Sequence, residues 1–268
     1  MKTCRLLRLP ANWTPKEEDA ARQLVGSGDK QQDKLAAEAQ ARRVAELQAM
    51  LYAQQQQKLL VVLQGMDGSG KDRCVSTTFA GCNVMGLKAK SFKAPTALEA
   101  AHDFLWRVHA EVPAAGQIGI FNRSHYEDVL VPRVLGTLDA RACTRRYAHI
   151  RAFEELLADS GTRILKIFLH ISQEEQKKRL YERLQDPQKQ WKFDPSDLKA
   201  RESWAAYQRA YAEALQATDA DHAPWHVVPA NSKPQRNLAV VTLVAETLAD
   251  MGLNWPPYRP ELTGIKID

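Results

Sequence analysis

Apolar residues along this chain come in two rhythms. Near-continuous apolar runs occupy Leu59–Gln64, Gln117–Phe121, Arg163–Ile171 and Trp225–Pro229, the pattern of strands covered on both faces. A weaker run, Lys88–Lys93, reads as a further strand closed by Pro95. Between these runs, apolar positions recurring every three to four residues predict helices over Lys71–Val84, Thr96–Glu111, His125–Leu135, Ala140–Asp159, Ser196–Leu215 and Gln235–Met251. Ser172-Gln173-Glu174-Glu175 has the Ser-x-x-Glu form of a capping box and opens another helix directly after the fourth strand. Ahead of the first strand, Gln31–Gln57 predicts one long helix with Leu35, Val44, Leu47 and Leu51 on its apolar side. Residues 1–29, with Pro10, Pro15, Gly26 and Gly28, read as an irregular arm.

Strands alternating with helices predict an α/β fold, with a parallel sheet between two helical layers and right-handed crossovers. Ligands of such sheets sit at the carboxyl ends of the strands. Gly65, Lys93, Asn122-Arg123, Ile171-Ser172 and Ala230-Asn231 all follow strand ends and should therefore share one rim.

The chemistry is most legible in Gly65-Met66-Asp67-Gly68-Ser69-Gly70-Lys71-Asp72. A glycine-rich turn between a strand and a helix points backbone N–H groups inward, the lysine adds charge, and the helix contributes its positive end. This is a Walker A type of phosphate cradle. The usual pattern ends in Gly-Lys-Ser/Thr, whereas Asp72 stands where the magnesium-binding hydroxyl would be, and Asp67 lies inside the loop. Two carboxylates in an anion cradle imply a divalent cation between them and the phosphate, so Asp67 is the first metal candidate and Asp72 the second. Further along the rim, Lys93, Arg123 and Arg133 supply cations, while Asn122, Glu127 and Asp128 are candidates for metal or acceptor contacts. The helix after the fourth strand carries Lys178, Arg179 and Arg183. Basic helices at that place in P-loop kinases close over phosphates as a lid, and Arg179 and Arg183 lie i, i+4 on one face. The expectation is a P-loop kinase-like three-layer sandwich with a five-stranded parallel sheet and a helical lid. Residues 1–57 form the arm and long helix, 58–252 the catalytic domain with its lid at about 173–200, and 253–268 a tail.

Composition narrows the class. Of 268 residues, 44% are apolar and 26% charged, and the net charge is +5, ordinary for a water-soluble globular protein with an anionic partner. No apolar run reaches the length of a spanning helix, no signal-peptide core is evident, and Cys4, Cys74, Cys82 and Cys143 lack metal-like or redox-like spacing. A cytoplasmic protein is expected, with no membrane and no nucleic-acid partner.

Taken in order, several segments resemble the second polyphosphate kinase family, the polyphosphate:nucleotide phosphotransferases. They are Gly65-Met66-Asp67 through Asp72, Ser91-Phe92-Lys93-Ala94-Pro95, His102-Asp103-Phe104-Leu105-Trp106-Arg107 and Ile118 through Ser124. Glu127-Asp128-Val129-Leu130-Val131, Glu174 through Arg179, Asp186-Pro187 with Trp191-Lys192-Phe193, and Ala223-Pro224-Trp225 continue the match. The resemblance implies that Asp67 is the family's loop aspartate and that Asp72 normally follows the lysine. It further implies Mg²⁺, with Mn²⁺ as a substitute, inorganic polyphosphate as donor, and a nucleoside mono- or diphosphate as acceptor. The wording Asn122-Arg123-Ser124 resembles the branch that accepts both AMP and ADP. On that footing Gly68, Ser69, Gly70, Lys71, Asp72, Arg73, Lys93, Arg133 and Lys178 are expected on polyphosphate, Asn122, Arg123, Glu127 and Asp128 on nucleotide, and Asp67 on metal. Asp67, Lys71, Arg123, Asp128, Arg179 and Arg183 are expected to carry catalysis. Ser69, Arg73 and the stretch Lys233-Pro234-Gln235-Arg236 depart from the family's wording. An ATP-dependent nucleoside monophosphate kinase, a non-catalytic polyanion-binding regulator and a nucleic-acid binder remain the competing readings. A homo-oligomer is expected.

Overall fold

A computed structural model describes residues 2–263 together with Ile265 and Ile267. Met1 and part of the expected tail, at positions 264, 266 and 268, lie outside the described residues. In chain order the elements are α1 (Lys2–Leu7), α2 (Lys30–Gln54), β1 (Lys58–Gln64), α3 (Lys71–Thr78), β2 (Leu87–Ser91), α4 (Ala97–Ala100), α5 (Trp106–His109) and β3 (Ile118–Asn122). They continue with α6 (Glu127–Val134), α7 (Ala140–Asp159), β4 (Thr162–His170), α8 (Gln173–Gln185), α9 (Ser196–Glu202), α10 (Trp204–Thr218), β5 (Trp225–Pro229) and α11 (Lys233–Asp250).

The five strands form one parallel sheet in the order β2-β3-β1-β4-β5. β1 is central and buried along nearly its whole length, because the crossovers place α2, α3 and α11 on one face and α6, α7 and α10 on the other. The chain leaves β1 toward β2 and leaves β3 toward β4, so the crossovers reverse direction around β1 and open a crevice at its carboxyl end. The loop 65–70 sits there.

Several expected elements changed extent for local reasons. α3 stops at Thr78, not Val84, because Gly81 (φ 86°) turns the chain and Asn83 caps a separate 3-10 turn over Val84–Gly86. The helix expected over 96–111 is two single turns: Thr96 and Glu99 form a complete capping box, and Asp103 then accepts from the Leu105 N–H. At α8, Ser172 caps the Glu175 N–H as expected, but the Glu175 side chain turns to Arg179. Along α2 the buried stripe runs through Ala37, Ala41, Val44, Gln48 and Leu51, while Leu35 is exposed. Alanines let α2 lie close along α11, which explains why the larger side chain faces outward.

The arm is more ordered than its composition suggested. Thr3 and Cys4 donate their backbone N–H groups to Glu246, each at 3.0 Å. The Leu9 N–H reaches the Trp225 carbonyl at 2.9 Å, Arg8 pairs with Asp219, and Arg8 bridges His226 at the open edge of β5. Covering that edge removes an unpaired row of backbone groups.

Beneath the site a polar cluster ties the helices to the sheet. Lys166 on β4 is fully buried and donates to Glu154 at 2.6 Å, the Tyr126 hydroxyl at 2.9 Å and the Thr218 carbonyl at 2.8 Å. Burial works to raise the Glu154 pKa, yet Lys166 and His125 hold it below its ordinary value. Removing one partner strands the other charge, so Glu154→Ala is expected to cost about 3–5 kcal/mol. Thermal unfolding checks this, and the apolar pair Glu154→Leu with Lys166→Met is expected to recover most of the loss.

Candidate functional site

The loop after β1 is a backbone structure before it is a chemical one. Gly70 has φ 100° and a Cβ there would stand 2.1 Å from Arg236 Nη1, while Gly65 (φ 150°) would collide with the Leu169 carbonyl at 2.7 Å. Only glycine fits either place. Two guanidinium groups hold the loop by its carbonyls. Arg179 donates to the carbonyls of Gly68 at 2.9 Å and Ser69 at 3.2 Å, and to those of Ala230 at 2.7 Å and Asn231 at 2.8 Å. Arg236 on α11 donates to the same Ser69 carbonyl at 3.0 Å. The Ser69 N–H turns back to the Met66 carbonyl at 3.1 Å, and the remaining N–H groups of this glycine-rich turn at a helix start are the ones an anion would meet.

Lys71 is buried and folds its ammonium back onto the Gly65 carbonyl at 2.7 Å and the Met66 carbonyl at 3.3 Å. Burial lowers its pKa, the nearby Arg123 lowers it further, and Asp67 and Glu127 oppose both. Arg123 stands just past β3 in the left-handed backbone region (φ 63°), a conformation that costs a non-glycine residue about 1–3 kcal/mol. That turn carries its side chain onto Asp67 and toward Glu127 at 3.6 Å. Burial opposes the charge of Arg123, but the two carboxylates outweigh it and raise its pKa. Glu127 is pushed up by burial despite Arg123 and Lys71.

The segment over residues 173–202 lies against this loop. Gln176 donates to the Asp67 carbonyl at 2.9 Å, and Lys192 reaches Asp72 at 3.3 Å. Asp72 also accepts from Asn122 at 2.8 Å, so it latches strand end to lid. Arg183 pairs with Asp197 at 3.0 Å and donates to the Lys192 carbonyl at 3.1 Å. Burial and the neighbouring Asp67 push the Asp197 pKa up to about 6.

A cleft of about 1650 Å³ runs across these groups. Thirteen lining side chains are Lys or Arg and six are Asp or Glu, a larger positive surplus than the +5 of the whole chain. The cleft brings together Asp67, Gly68, Gly70, Lys71, Asp72, Arg73, Lys93, Asn122, Arg123, Arg179 and Arg183. Ser69 lies beneath its floor with a buried hydroxyl that has no protein partner.

Three expected rim residues face elsewhere. Asp128 pairs with the buried Arg107 at 2.9 Å, and Arg107 also holds the Lys93 carbonyl at 2.8 Å. Arg133 turns to Glu213 on α10 at 3.4 Å. Lys178 is exposed on the outer side of α8. Arg179 does line the cleft, but its donors are occupied by loop carbonyls and Glu175. Sequence reasoning missed Arg236 and Asp197. Arg236 sat in a stretch noted only for departing from the family's wording, and Asp197 looked like one more polar residue near a helix start.

A family model described as polyphosphate kinase 2 matches residues 27–254. A Meiothermus ruber protein called AMP/ADP-polyphosphate phosphotransferase is 50% identical over 226 residues, 84% of each chain. A Rhodopseudomonas palustris protein called ADP-polyphosphate phosphotransferase is 40% identical over 82% of this chain and 81% of its own. The crystal structure of polyphosphate kinase 2 from Arthrobacter aurescens superposes with a TM-score of 0.92 at 43% identity, covering 96% of this chain and 92% of that one. With the matched model spanning the loop, the Arg123 strand end and the lid, this chain belongs to the polyphosphate kinase 2 family.

Proposed function

We propose that the protein transfers the terminal phosphoryl group of inorganic polyphosphate to AMP and to ADP, reversibly and with a divalent cation. The observation that carries this reading is the cationic cleft converging on the loop 65–71. The names of the Meiothermus and Rhodopseudomonas relatives support the substrates, and the first of them supports both acceptors.

Phosphoryl transfer asks mainly for position and for cancellation of charge, and a nucleotide's terminal phosphate is already an anionic nucleophile. The loop amides and Lys71 would bind the donor's end. Arg123, charged and braced by Asp67 and Glu127, would stand between donor and acceptor and offset charge on the moving group. Asn122, beside Arg123 in the cleft, would contact the acceptor and Glu127 would hold the Arg123 guanidinium in place, whereas Asp128 would act at one remove, positioning the 93–107 segment through Arg107.

Magnesium fits the donors present. Asp67 and Asp197 bring two carboxylates into the cleft, and burial first, then the charge of Asp67, raises the Asp197 pKa against the pull of Arg183 and Arg123. Among the described residues no group of three or more His, Cys, Asp or Glu could hold a metal. Magnesium needs none, since it is commonly held by one or two carboxylates with water and substrate phosphates completing its shell. Asp67, with Asp197 beside it, would hold the ion, and manganese would bind the same oxygens. When bound, the ion would neutralise phosphate charge and fix the reacting oxygens.

Incubation with polyphosphate, Mg²⁺ and AMP is expected to give ADP and then ATP, and EDTA is expected to stop it until Mg²⁺ is restored in excess. If ATP proved to be the donor to AMP while polyphosphate was ignored, the chain would act as a nucleoside monophosphate kinase. No helix among the described residues is long and apolar enough to cross a membrane. A cytoplasmic setting remains part of the proposal, supported by four unpaired cysteines. So does a homo-oligomer, supported by the exposed Trp255 and Tyr258 near the chain's end; light scattering tests it.

A further inference from the structure

The cleft does not stop at the loop. It continues past Arg73 on α3 and along the first half of α2, where Lys30, Lys34 and Arg42 line it. From this continuity we infer a distal subsite for the donor: polyphosphate leaves the loop and lies in the groove between α2 and α3. The inference rests on the proposed donor and adds where the rest of that chain is held.

Three features make this stretch a track rather than a solvated helix face. Its floor is low where the buried Ala37 and Ala41 line it, and of the α2 side chains around them three are cations, Lys30, Lys34 and Arg42, against one carboxylate, Glu38. Lys30, Arg42 and Arg73 have no ion-pair partner among the described residues, and Lys34 stands 4.0 Å from Glu38, too far for a hydrogen bond. Cations left unpaired along a groove are available to a polyanion. Finally, Arg42 lies twelve positions beyond Lys30 on one helix, about 18 Å along its axis, room for several linked phosphates. Each cation would meet phosphates with no side-chain geometry to satisfy, so binding there should be tolerant of register and sensitive to salt. The loop would select the chain end, and the groove would select for length.

The subsite predicts a split between long and short donors. In a Lys30→Ala, Lys34→Ala, Arg42→Ala variant, the KM for long-chain polyphosphate is expected to rise about tenfold, three exposed charge contacts being lost. Its kcat, its KM for ADP and its KM for inorganic tetraphosphate are expected to stay at wild-type values, and its KM for long chains should depend less on salt. All three side chains are exposed, so the melting temperature should hold; Lys34→Glu alone offers a second, charge-reversed test of the same split. An unchanged KM for long chains, or an equal rise for long and short donors, would overturn the subsite. If the wild-type protein makes no product from polyphosphate of either length, the donor assignment fails instead, and the two failures are separable in one experiment.

Discussion

Lys71→Ala is expected to lower kcat by two to three orders of magnitude, the usual cost of removing one pre-positioned charge-stabilising donor. Lys71 is held at the centre of the cradle, its ammonium resting on the Gly65 and Met66 carbonyls. Those carbonyls keep it poised at the bottom of the loop, where the donor's terminal phosphate would arrive and draw it across. Its removal therefore subtracts charge at the reacting group and also frees two carbonyls the loop has arranged around it. Lys71→Arg should rescue little, since a planar guanidinium needs more room than a point ammonium in a buried place. Steady-state rates with polyphosphate and ADP check this, alongside a melting curve to separate lost chemistry from lost folding. Wild-type turnover in Lys71→Ala would mean that the loop does not carry the reaction.

The second large effect is expected at Arg179, and for a different reason from the one its spacing suggested. Arg179 and Arg183 are both one turn apart on α8 and both line the cleft, yet their environments differ. Arg179 is buried, with Nη1 on the Gly68 and Ser69 carbonyls, Nη2 on those of Ala230 and Asn231, and Nε on Glu175. It joins three chain segments and fixes the orientation of the cradle. Arg179→Ala takes this donor from the Gly68, Ala230 and Asn231 carbonyls, at about 1–3 kcal/mol for each one left buried and unpaired, while the Ser69 carbonyl keeps Arg236. A fall of at least about a hundredfold in kcat/KM is expected as the amides lose their common aim, together with a lower melting temperature. A lysine there cannot restore it, having three donors on one atom in place of a fork. Arg183→Ala, which frees only Asp197 and the Lys192 carbonyl, should instead raise the polyphosphate KM and its salt sensitivity while kcat holds. Equal effects at the two positions would contradict this division of labour.

The strand order of chemistry was readable because β1, β3, β4 and β5 are apolar runs and the loop glycines have no other use at that spacing. Position along the rim could be inferred from strand ends, but rotation about a helix axis could not. Glu127 and Asp128 are neighbours in sequence and so diverge by about 100° around α6. One meets Arg123 and the other meets Arg107. The same phase problem took Arg133 to Glu213 and Lys178 to solvent. Asp197 and Arg236 were illegible for a further reason: each acquires its surroundings only when a distant segment closes on the loop. Arg236 is 167 residues from the Ser69 carbonyl it holds. The break in the 96–111 helix was hidden because it rests on Asp103, which accepts from the Leu105 N–H and is a single residue inside an otherwise helical pattern.

The central claim is that the turn around Ser69 and Lys71 receives the end of the polyphosphate chain, facing an acceptor nucleotide across Arg123. A crystal structure of the protein with a short polyphosphate and a non-reactive nucleotide analogue tests it most directly. The terminal phosphates should lie against the N–H groups from Gly68 to Asp72, with Lys71 drawn onto them and Asp67 beside the metal. Density for the chain at any other face of the molecule, with that turn empty, would contradict the account.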